Sequence, residues 1–384
     1  MNRYDFTTVK PDRSTDCNVY TRMDAMGITT PDAIPFAVAE MMFPIAPPIL
    51  DALHKTADNA YFGYRQNEAP FRQAVCAWMA KKGAALTPEQ IVPSHGVVTG
   101  LGNAIRAYTQ PGDPVLIQPP VYGPFMQVLR ENERRIVENP LILRDGRYEM
   151  DFADMEQKLL QGVKLFILCS PHNPVGRVWT RAELSRVHAL CARFGVPVLS
   201  DEIHQDILRP GVEFTPYMLL DPDCAAFSAA SKTFNIAGLS QAYFYTKNEE
   251  KLRLFENAAK RDSGEVFNPF GMAATAAAYT HGEAWMREML AVVYENADML
   301  QSRAEALGLP MPRLEGTYLC WLDMRPLGLD AKALQELLVR AGIEATQGSF
   351  FGPVGEGFIR LNVACPTQAL QAAIARLERA LAQR

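Results

Sequence analysis

The chain lacks long apolar runs. Nowhere do eighteen apolar residues follow one another, so no membrane-spanning helix is expected. It also lacks a basic excess. Lysine and arginine total 38 against 43 aspartates and glutamates, a formal charge of −5, whereas a nucleic-acid-binding surface calls for a positive balance. There is no C-x-x-C pair. The seven cysteines (Cys17, Cys76, Cys169, Cys191, Cys224, Cys320 and Cys365) are scattered and odd in number, which argues against a disulfide framework. The six histidines show neither H-E-x-x-H nor H-x-x-x-H spacing, so no dedicated metal site is expected. No repeat and no low-complexity linker interrupts the chain. The opening MNRYDFTTVKPDRSTDC is polar and lacks the apolar core of a secretory signal, which makes a cytoplasmic location the expectation.

What remains is an ordinary globular composition. The 384 residues are 48% apolar and 21% charged, enough to bury a large core and, at roughly 100–200 residues each, to form two domains or three. The first 45 residues read as irregular and end in the proline-rich FPIAPPI. Helical periodicity follows in PPILDALHKTADNA and EAPFRQAVCAWMAKKG. Short apolar runs then alternate with helix-like segments. PVLIQ (114–118), KLFILC (164–169), VPVLS (196–200) and AAFSAA (225–230) read as buried strands, with ELSRVHALCARFG as a crossover helix ending at Gly195. This alternation predicts an α/β architecture, a mostly parallel sheet covered by helices on both faces.

From about residue 285 the pattern changes. The long helical stretch EAWMREMLAVVYENADMLQSRAEALG leads to the strand GTYLCWLDM, the helix AKALQELLVRAG, the strand GFIRLNVA and a terminal amphipathic helix. That predicts a smaller α+β domain. The expected division is an N-terminal segment over 1–45 packing with the small domain, a large domain over 46–285 and the small domain over 286–384.

In open α/β sheets, ligands sit beyond the carboxyl ends of the strands. KLFILC is followed there by SPHNPVG with Asn173, VPVLS by DEIH with Asp201 and His204, and AAFSAA by SKTFN with Lys232. Alone, each has a bland reading: a surface lysine, a helix-capping aspartate, a half-buried histidine, an Asn-Pro turn. Three such groups in order after three consecutive strands fit one cofactor, pyridoxal phosphate. It needs a lysine to hold its aldehyde as a Schiff base, a carboxylate to keep the pyridine nitrogen protonated, and hydrogen-bonding groups near the ring hydroxyl. Lys232, Asp201, and Asn173 with His204 can fill these roles, and Lys232 can then move the substrate's Cα proton.

A phosphate needs a cradle. SHGVVTGLGNAIRAY reads as a glycine turn entering a helix, with the amides of Gly96, Val97 and Val98 aimed at an anion. Ser228 and Ser231 lie close enough to Lys232 to add hydroxyls. Tyr122, in QPPVYGPF, can lay its ring over the pyridine face.

With these residues in hand, the sequence resembles the fold-type I pyridoxal-phosphate enzymes, whose architecture is that of aspartate aminotransferase. Within them it is most similar to the MalY/PatB group, the cystathionine β-lyase and C–S lyase branch of the class I/II aminotransferase family. The resemblance is carried by YFGYRQ (61–66), QPPVYGPF, CSPHNPVGRVWT, LSDEIHQDI, SKTFNIAGLS, GTYLCWLDMRPL and GFIRLNVACP. It implies the roles just given for Lys232, Asp201, Asn173, His204, Tyr122, Gly96, Val97 and Val98. It further implies that Tyr64 reaches across a dimer interface to the partner subunit's phosphate, and that Arg360 forms a bidentate bond to the substrate α-carboxylate. A homodimer with shared sites follows from the same resemblance. So does β-elimination from an L-cysteine S-conjugate giving thiol, pyruvate and ammonia, with an aminotransferase as the alternative.

The chain also departs from the family. Ser240 stands where many aminotransferases carry a phosphate-binding arginine, and Ala229 where a serine is common. The branch usually has an aspartate–methionine–aspartate run beside the substrate entrance; here it is Glu40, Met41 and Met42. Replacing a carboxylate by methionine removes a charge and adds adaptable apolar surface. The expectation is that Glu40, Met41 and Met42 contact the substrate and favour an apolar side chain.

Overall fold

The computed structural model describes residues 4–383, apart from 13, 15–16, 31, 64–66 and 264–267. In chain order, α1 (Asn18–Ala25), α2 (Pro47–Asp58), α3 (Ala69–Ala80), β1 (Ile91–Ser94), α4 (Val97–Tyr108), β2 (Pro114–Ile117), α5 (Gly123–Glu131) and β3 (Arg135–Glu138) come first. The hairpin β4 (Ile142–Arg144) and β5 (Arg147–Glu149) follows. Next are α6 (Phe152–Leu160), β6 (Leu165–Cys169), α7 (Arg181–Arg193), β7 (Val198–Asp201), β8 (Ala225–Ser228), β9 (Ala242–Thr246), α8 (Glu249–Ser263) and α9 (Pro269–His281). The chain ends with α10 (Glu283–Ala306), β10 (Leu319–Asp323), α11 (Ala331–Arg340), β11 (Thr346–Gln347), β12 (Phe358–Asn362) and α12 (Thr367–Ala382).

The four apolar runs expected as strands form β2, β6, β7 and β8, at the heart of a seven-stranded sheet ordered β1-β9-β8-β7-β6-β2-β3. The β3–β2, β2–β6, β6–β7 and β7–β8 pairs are parallel. β9 runs antiparallel to β8 and β1. The sequence reading missed β1, β3 and β9. β1 and β3 are the sheet's edges: β1 carries Pro93, which lacks an amide for a ladder and suits an edge, and β3 is only partly buried. β9, AYFYT, is wholly buried and rich in aromatics.

Local chemistry sets the crossover helix α7. Thr180 and Glu183 cap its start reciprocally, the Thr180 hydroxyl accepting from the Glu183 amide at 3.2 Å and Glu183 accepting from the Thr180 amide at 2.8 Å. Leu184, Val187 and Cys191 put one apolar stripe against the sheet. The chain leaves the helix through Gly195, whose φ of +65° suits a residue without Cβ.

β10, β12 and β11 form a second, antiparallel sheet, with α12 packed against both α10 and α11. The long α10 is bonded to both layers. Its Tyr294 hydroxyl approaches the carbonyls of Ile207 and Thr317 (3.1 and 3.2 Å), and Asn296 Nδ2 donates to those of Val363 and Cys365 (3.0 and 2.8 Å). Trp285, Met289, Val293 and Leu300 line its buried face, each contributing about 1.5–3 kcal/mol of apolar burial.

The N-terminal segment holds α1, where the sequence predicts irregular chain. Beyond it, residues 35–43 run as a strap. Phe36 exchanges backbone bonds with Glu344 and Asn362, and the Met42 amide donates to Ala364. From the other side, Asn235 grips Met41 and Phe43: Oδ1 accepts from the Met41 amide at 2.8 Å, and Nδ2 donates to both carbonyls.

Candidate active site

The parallel register brings the strand ends level: Cys169 lies opposite Asp201, and Asp201 opposite Phe227. The residues just beyond them therefore share one opening. It leads into a cavity of about 880 Å³, whose wall includes Asn173, Asp201, His204, Lys232, Tyr122 and Arg360. That is within the range of roughly 300–1,000 Å³ typical of small-molecule sites.

Lys232 leaves the loop after β8 and donates from Nζ to the Ala39 carbonyl at 2.8 Å. Burial lowers its pKa to about 8. The Glu40 and Asp201 carboxylates oppose that fall, and the Arg360 cation adds to it. Asp201, last residue of β7, accepts from the Ile203 amide at 3.1 Å. Burial raises its pKa to about 7 against the pull of that amide and of Lys232. His204 is buried, with its ring edge-on to Tyr318 at 6.1 Å. Burial, reinforced by the Lys232 and Arg360 cations, lowers its pKa to about 3, so the ring is neutral. Its Nδ1 has no hydrogen-bond partner among the described residues. Tyr122 stands at the N-terminus of α5 with its ring edge-on to Phe125 at 5.8 Å.

Arg360 comes from the other sheet. It lies in β12, opposite Trp321 of β10 and Thr346 of β11. Nη1 donates to Asn173 Oδ1 at 3.1 Å and Nη2 to the Ala37 carbonyl at 2.6 Å. The guanidinium sits 4.8 Å from the Phe351 ring centre, and Nε is buried without a partner among the described residues. Burial lowers its pKa to about 10, which still leaves it cationic at neutral pH. A buried cation with an unsatisfied N–H, opening onto a cavity, is suited to hold a carboxylate.

Other expected residues fall differently. Gly96 takes φ +81° at the N-terminus of α4, but its amide donates to the Ser94 carbonyl. The amides left without intrahelical acceptors are those of Val97, Val98 and Thr99, all on the cavity wall. Gly96 lines the cavity too, but its amide is already engaged, so the free amides here run from Val97 to Thr99. Ser231 lines the cavity, whereas Ser228 does not: its hydroxyl is fully buried, accepting from Gln205 Nε2 at 2.7 Å and donating to the Glu202 carbonyl at 3.2 Å. Met41 and Met42 also correct the reading. Both are buried in the main core and absent from the cavity wall, because the strap is covered from both sides. Glu40 is not a wall residue either; its carboxylate reaches the site only as a charge felt at Lys232 and Tyr318. Tyr64 lies outside the described residues.

The sequence reading missed the backbone of the strap. The Ala39 carbonyl receives both Lys232 Nζ and the Tyr318 hydroxyl (2.9 Å). Main-chain carbonyls leave no mark in a sequence. Asn235, three residues after the lysine, was in plain view but suggested no role.

The model of the aminotransferase class I and II family matches residues 31–377 of this chain. The chain belongs to that family. Among relatives of this class I/II chain, cystathionine beta-lyase PatB of Bacillus subtilis (strain 168) is 40% identical over 367 residues, covering 93% of this chain and 94% of its own. The protein MalY of Escherichia coli (strain K12) is 32% identical, covering 98% and 99%. Among solved structures, cystalysin from Treponema denticola, which contains a pyridoxal 5'-phosphate cofactor, superposes with a TM-score of 0.96 at 33% identity over 99% of both chains. The fold of this family member is therefore fold type I.

Proposed function

We propose that this chain is a pyridoxal-phosphate-dependent carbon–sulfur β-lyase acting on L-cysteine S-conjugates. The observation that carries the reading is the convergence of Lys232, Asp201, His204, Asn173 and Arg360 on one cavity, in a chain 40% identical to a cystathionine beta-lyase.

The donor set fits the cofactor. Lys232 offers an amine whose proton is easily lost, Asp201 a buried carboxylate for a ring nitrogen, and Asn173 and His204 polar atoms for a ring oxygen. Tyr122 offers an aromatic face, and the amides of Val97, Val98 and Thr99 with the Ser231 hydroxyl a phosphate cradle. The bound cofactor supplies an aldehyde that takes up an amine and a ring that accepts an electron pair from Cα. Arg360 holds the substrate α-carboxylate and so fixes the orientation of Cα. Lys232 Nζ removes the Cα proton; its lowered pKa makes the free amine available near neutral pH. Asp201 and Arg360 are both buried, and low-dielectric surroundings strengthen their interactions. The overall balance is one S-conjugate and one water giving thiol, pyruvate and ammonia.

The proposal includes a homodimer with shared sites, in which Tyr64 serves the partner subunit, a cytoplasmic location, and the division into segments 1–45, 46–285 and 286–384. An exposed apolar patch supports the dimer: Tyr61 and Phe62 are 73% and 56% exposed, and Phe62 stacks on Phe270. Among the described residues, no helix is long and apolar enough to cross a membrane.

The test is incubation of cofactor-loaded protein with L-cystathionine, L-cystine and S-alkyl-L-cysteines, with and without 2-oxoglutarate. Thiol and pyruvate formed without the keto acid are the expected result. Keto-acid-dependent glutamate with no thiol would move the assignment to an aminotransferase.

A further inference from the structure

Between Phe36 and Met42 the strap makes no backbone-to-backbone hydrogen bond among the described residues. It bends over 37–39 instead of running as a regular strand. Side chains set its path there. From the smaller sheet, Arg360 and Thr346 (3.0 Å) donate to the Ala37 carbonyl, and Asn362 Nδ2 donates to the carbonyls of Val38 (2.8 Å) and Glu40. From the larger sheet's side come Lys232, at the Ala39 carbonyl, and Asn235, at Met41 and Phe43.

Lys232 and Asn235 belong to one tight turn. The Phe234 amide closes it on the Ala230 carbonyl (3.0 Å) and the Ile236 amide on the Ser231 carbonyl (3.1 Å). The turn therefore meets the strap at two points, two residues apart. Asn235 takes φ +57°, the left-handed region that asparagine enters more readily than most residues. Glycine would fit that backbone as well, but it could make none of the three bonds. Oδ1 accepts from the Met41 amide, and Nδ2 spends both its hydrogens on the Met41 and Phe43 carbonyls. One side-chain amide thus replaces the ladder that the strap lacks. The carbonyl it steadies lies at the reacting amine, 2.8 Å from Lys232 Nζ. Glu40, the next residue, gives the largest charge effect holding the Lys232 pKa up against burial. A shift of the strap would move an acceptor and a charge together.

We propose that Asn235 is a positioning residue for proton transfer at Cα. By clamping the strap to the turn that carries Lys232, it keeps the Ala39 carbonyl where it orients Nζ. With one N–H held on that carbonyl, the neutral amine cannot turn freely and its lone pair keeps a fixed direction. When the proton passes from Cα to Nζ, the same carbonyl accepts from the ammonium that results. Asn235 does this without lining the cavity. The inference rests on the lyase reading for Lys232 as the base and extends it to a residue outside the pocket.

The test compares cofactor-loaded wild type with Asn235→Gly, which suits the left-handed backbone and removes the clamp. The first readout is amide hydrogen exchange followed by mass spectrometry. Residues 37–43 should exchange about tenfold or more faster in the variant, the size of a lost hydrogen bond, while β6, β7 and β8 keep their wild-type rates. The second readout is thiol release from S-ethyl-L-cysteine per bound cofactor. kcat should fall about tenfold or more, because a small misplacement of a reacting group is enough for that. KM should stay within about twofold, because Arg360 still holds the α-carboxylate. Unchanged exchange over 37–43 overturns the clamp. Faster exchange in the sheet strands as well makes Asn235 a general support of the fold and overturns the positioning role. So does a wild-type kcat in the loosened variant, or a loss confined to KM. A wild type that releases no thiol overturns the lyase reading alone. The positioning role is then read from the loss of deuterium from Cα-deuterated L-norleucine, which needs the base but no leaving group. The same fall of about tenfold is expected, and equal rates in the two proteins would overturn it.

Discussion

Asp206 holds up the lysine loop, and replacing it tests how firmly. It is buried, and three donors converge on it. Oδ1 accepts from Trp78 Nε1 at 3.0 Å and faces Lys82 Nζ at 2.6 Å; Oδ2 accepts from the Thr233 hydroxyl at 3.0 Å. Thr233 directly follows Lys232. In Asp206→Ala, Trp78 and Thr233 are left with buried, unpaired donors, each costing about 1–3 kcal/mol. Lys82 is 17% exposed and can turn toward water, so its loss belongs at the low end of the range for a broken buried pair, about 3 kcal/mol or less. Neighbouring losses overlap, and the expected total is about 3–5 kcal/mol. Asp206→Asn keeps an acceptor toward Trp78 and can still bond Thr233, so it should lose only the charge, about 1.5–3 kcal/mol. Thr233→Val should cost least. The assay is denaturant unfolding of the cofactor-loaded proteins, with turnover measured in parallel. Because the loop carries Lys232, kcat should fall more than KM changes. An alanine variant within about 1 kcal/mol of wild type would refute the claim that these three bonds support the loop.

Three further outcomes follow from the site. Lys232→Ala should abolish thiol and pyruvate release; wild-type turnover in that variant would overturn the mechanism. Arg360→Lys keeps the charge but loses the planar fork, so KM for the S-conjugate should rise about tenfold or more; an unchanged KM would place the carboxylate elsewhere. Glu202 is fully buried, and burial raises its pKa to about 7 from an ordinary 4.5. A carboxyl raised in the folded state stabilises below its unfolded pKa, and that contribution is lost as pH rises toward the folded value. Glu202→Gln should therefore gain stability relative to wild type between pH 4.5 and 7, by about 3 kcal/mol in all. Denaturant unfolding of both proteins at several pH values checks the slope, and a flat difference would show that the carboxyl ionises freely.

The central sheet was legible because its strands are short, continuous apolar runs buried on both faces. β1 was hidden by Pro93 and β3 by its half-exposed, charged sequence. The grouping of Lys232, Asp201, Asn173 and His204 on one cavity could be read because each is a polar residue just beyond a buried strand and a parallel sheet puts consecutive strand ends side by side. Met41 and Met42 misled for a physical reason. Their segment lies between two layers, so neighbouring residues are buried alike and no alternation marks one face as facing the site. The Ala37 and Ala39 carbonyls, which receive Arg360 and Lys232, were beyond any reading of side chains.

The double use of the Ala39 carbonyl also bears on how the site comes into being. Lys232 Nζ and the Tyr318 hydroxyl meet on a peptide group from the first tenth of the chain, and Arg360 near the other end reaches back to Ala37. These contacts span nearly the whole sequence, so closing them carries a large entropic penalty that local structure cannot offset early. Every strand of the central sheet precedes β12 along the chain, so the pocket closes only after segments well beyond that sheet have joined it. Without β12 the sheet would lack Arg360 and its bond to the Ala37 carbonyl. The appearance of a competent site marks the completion of the whole chain's folding.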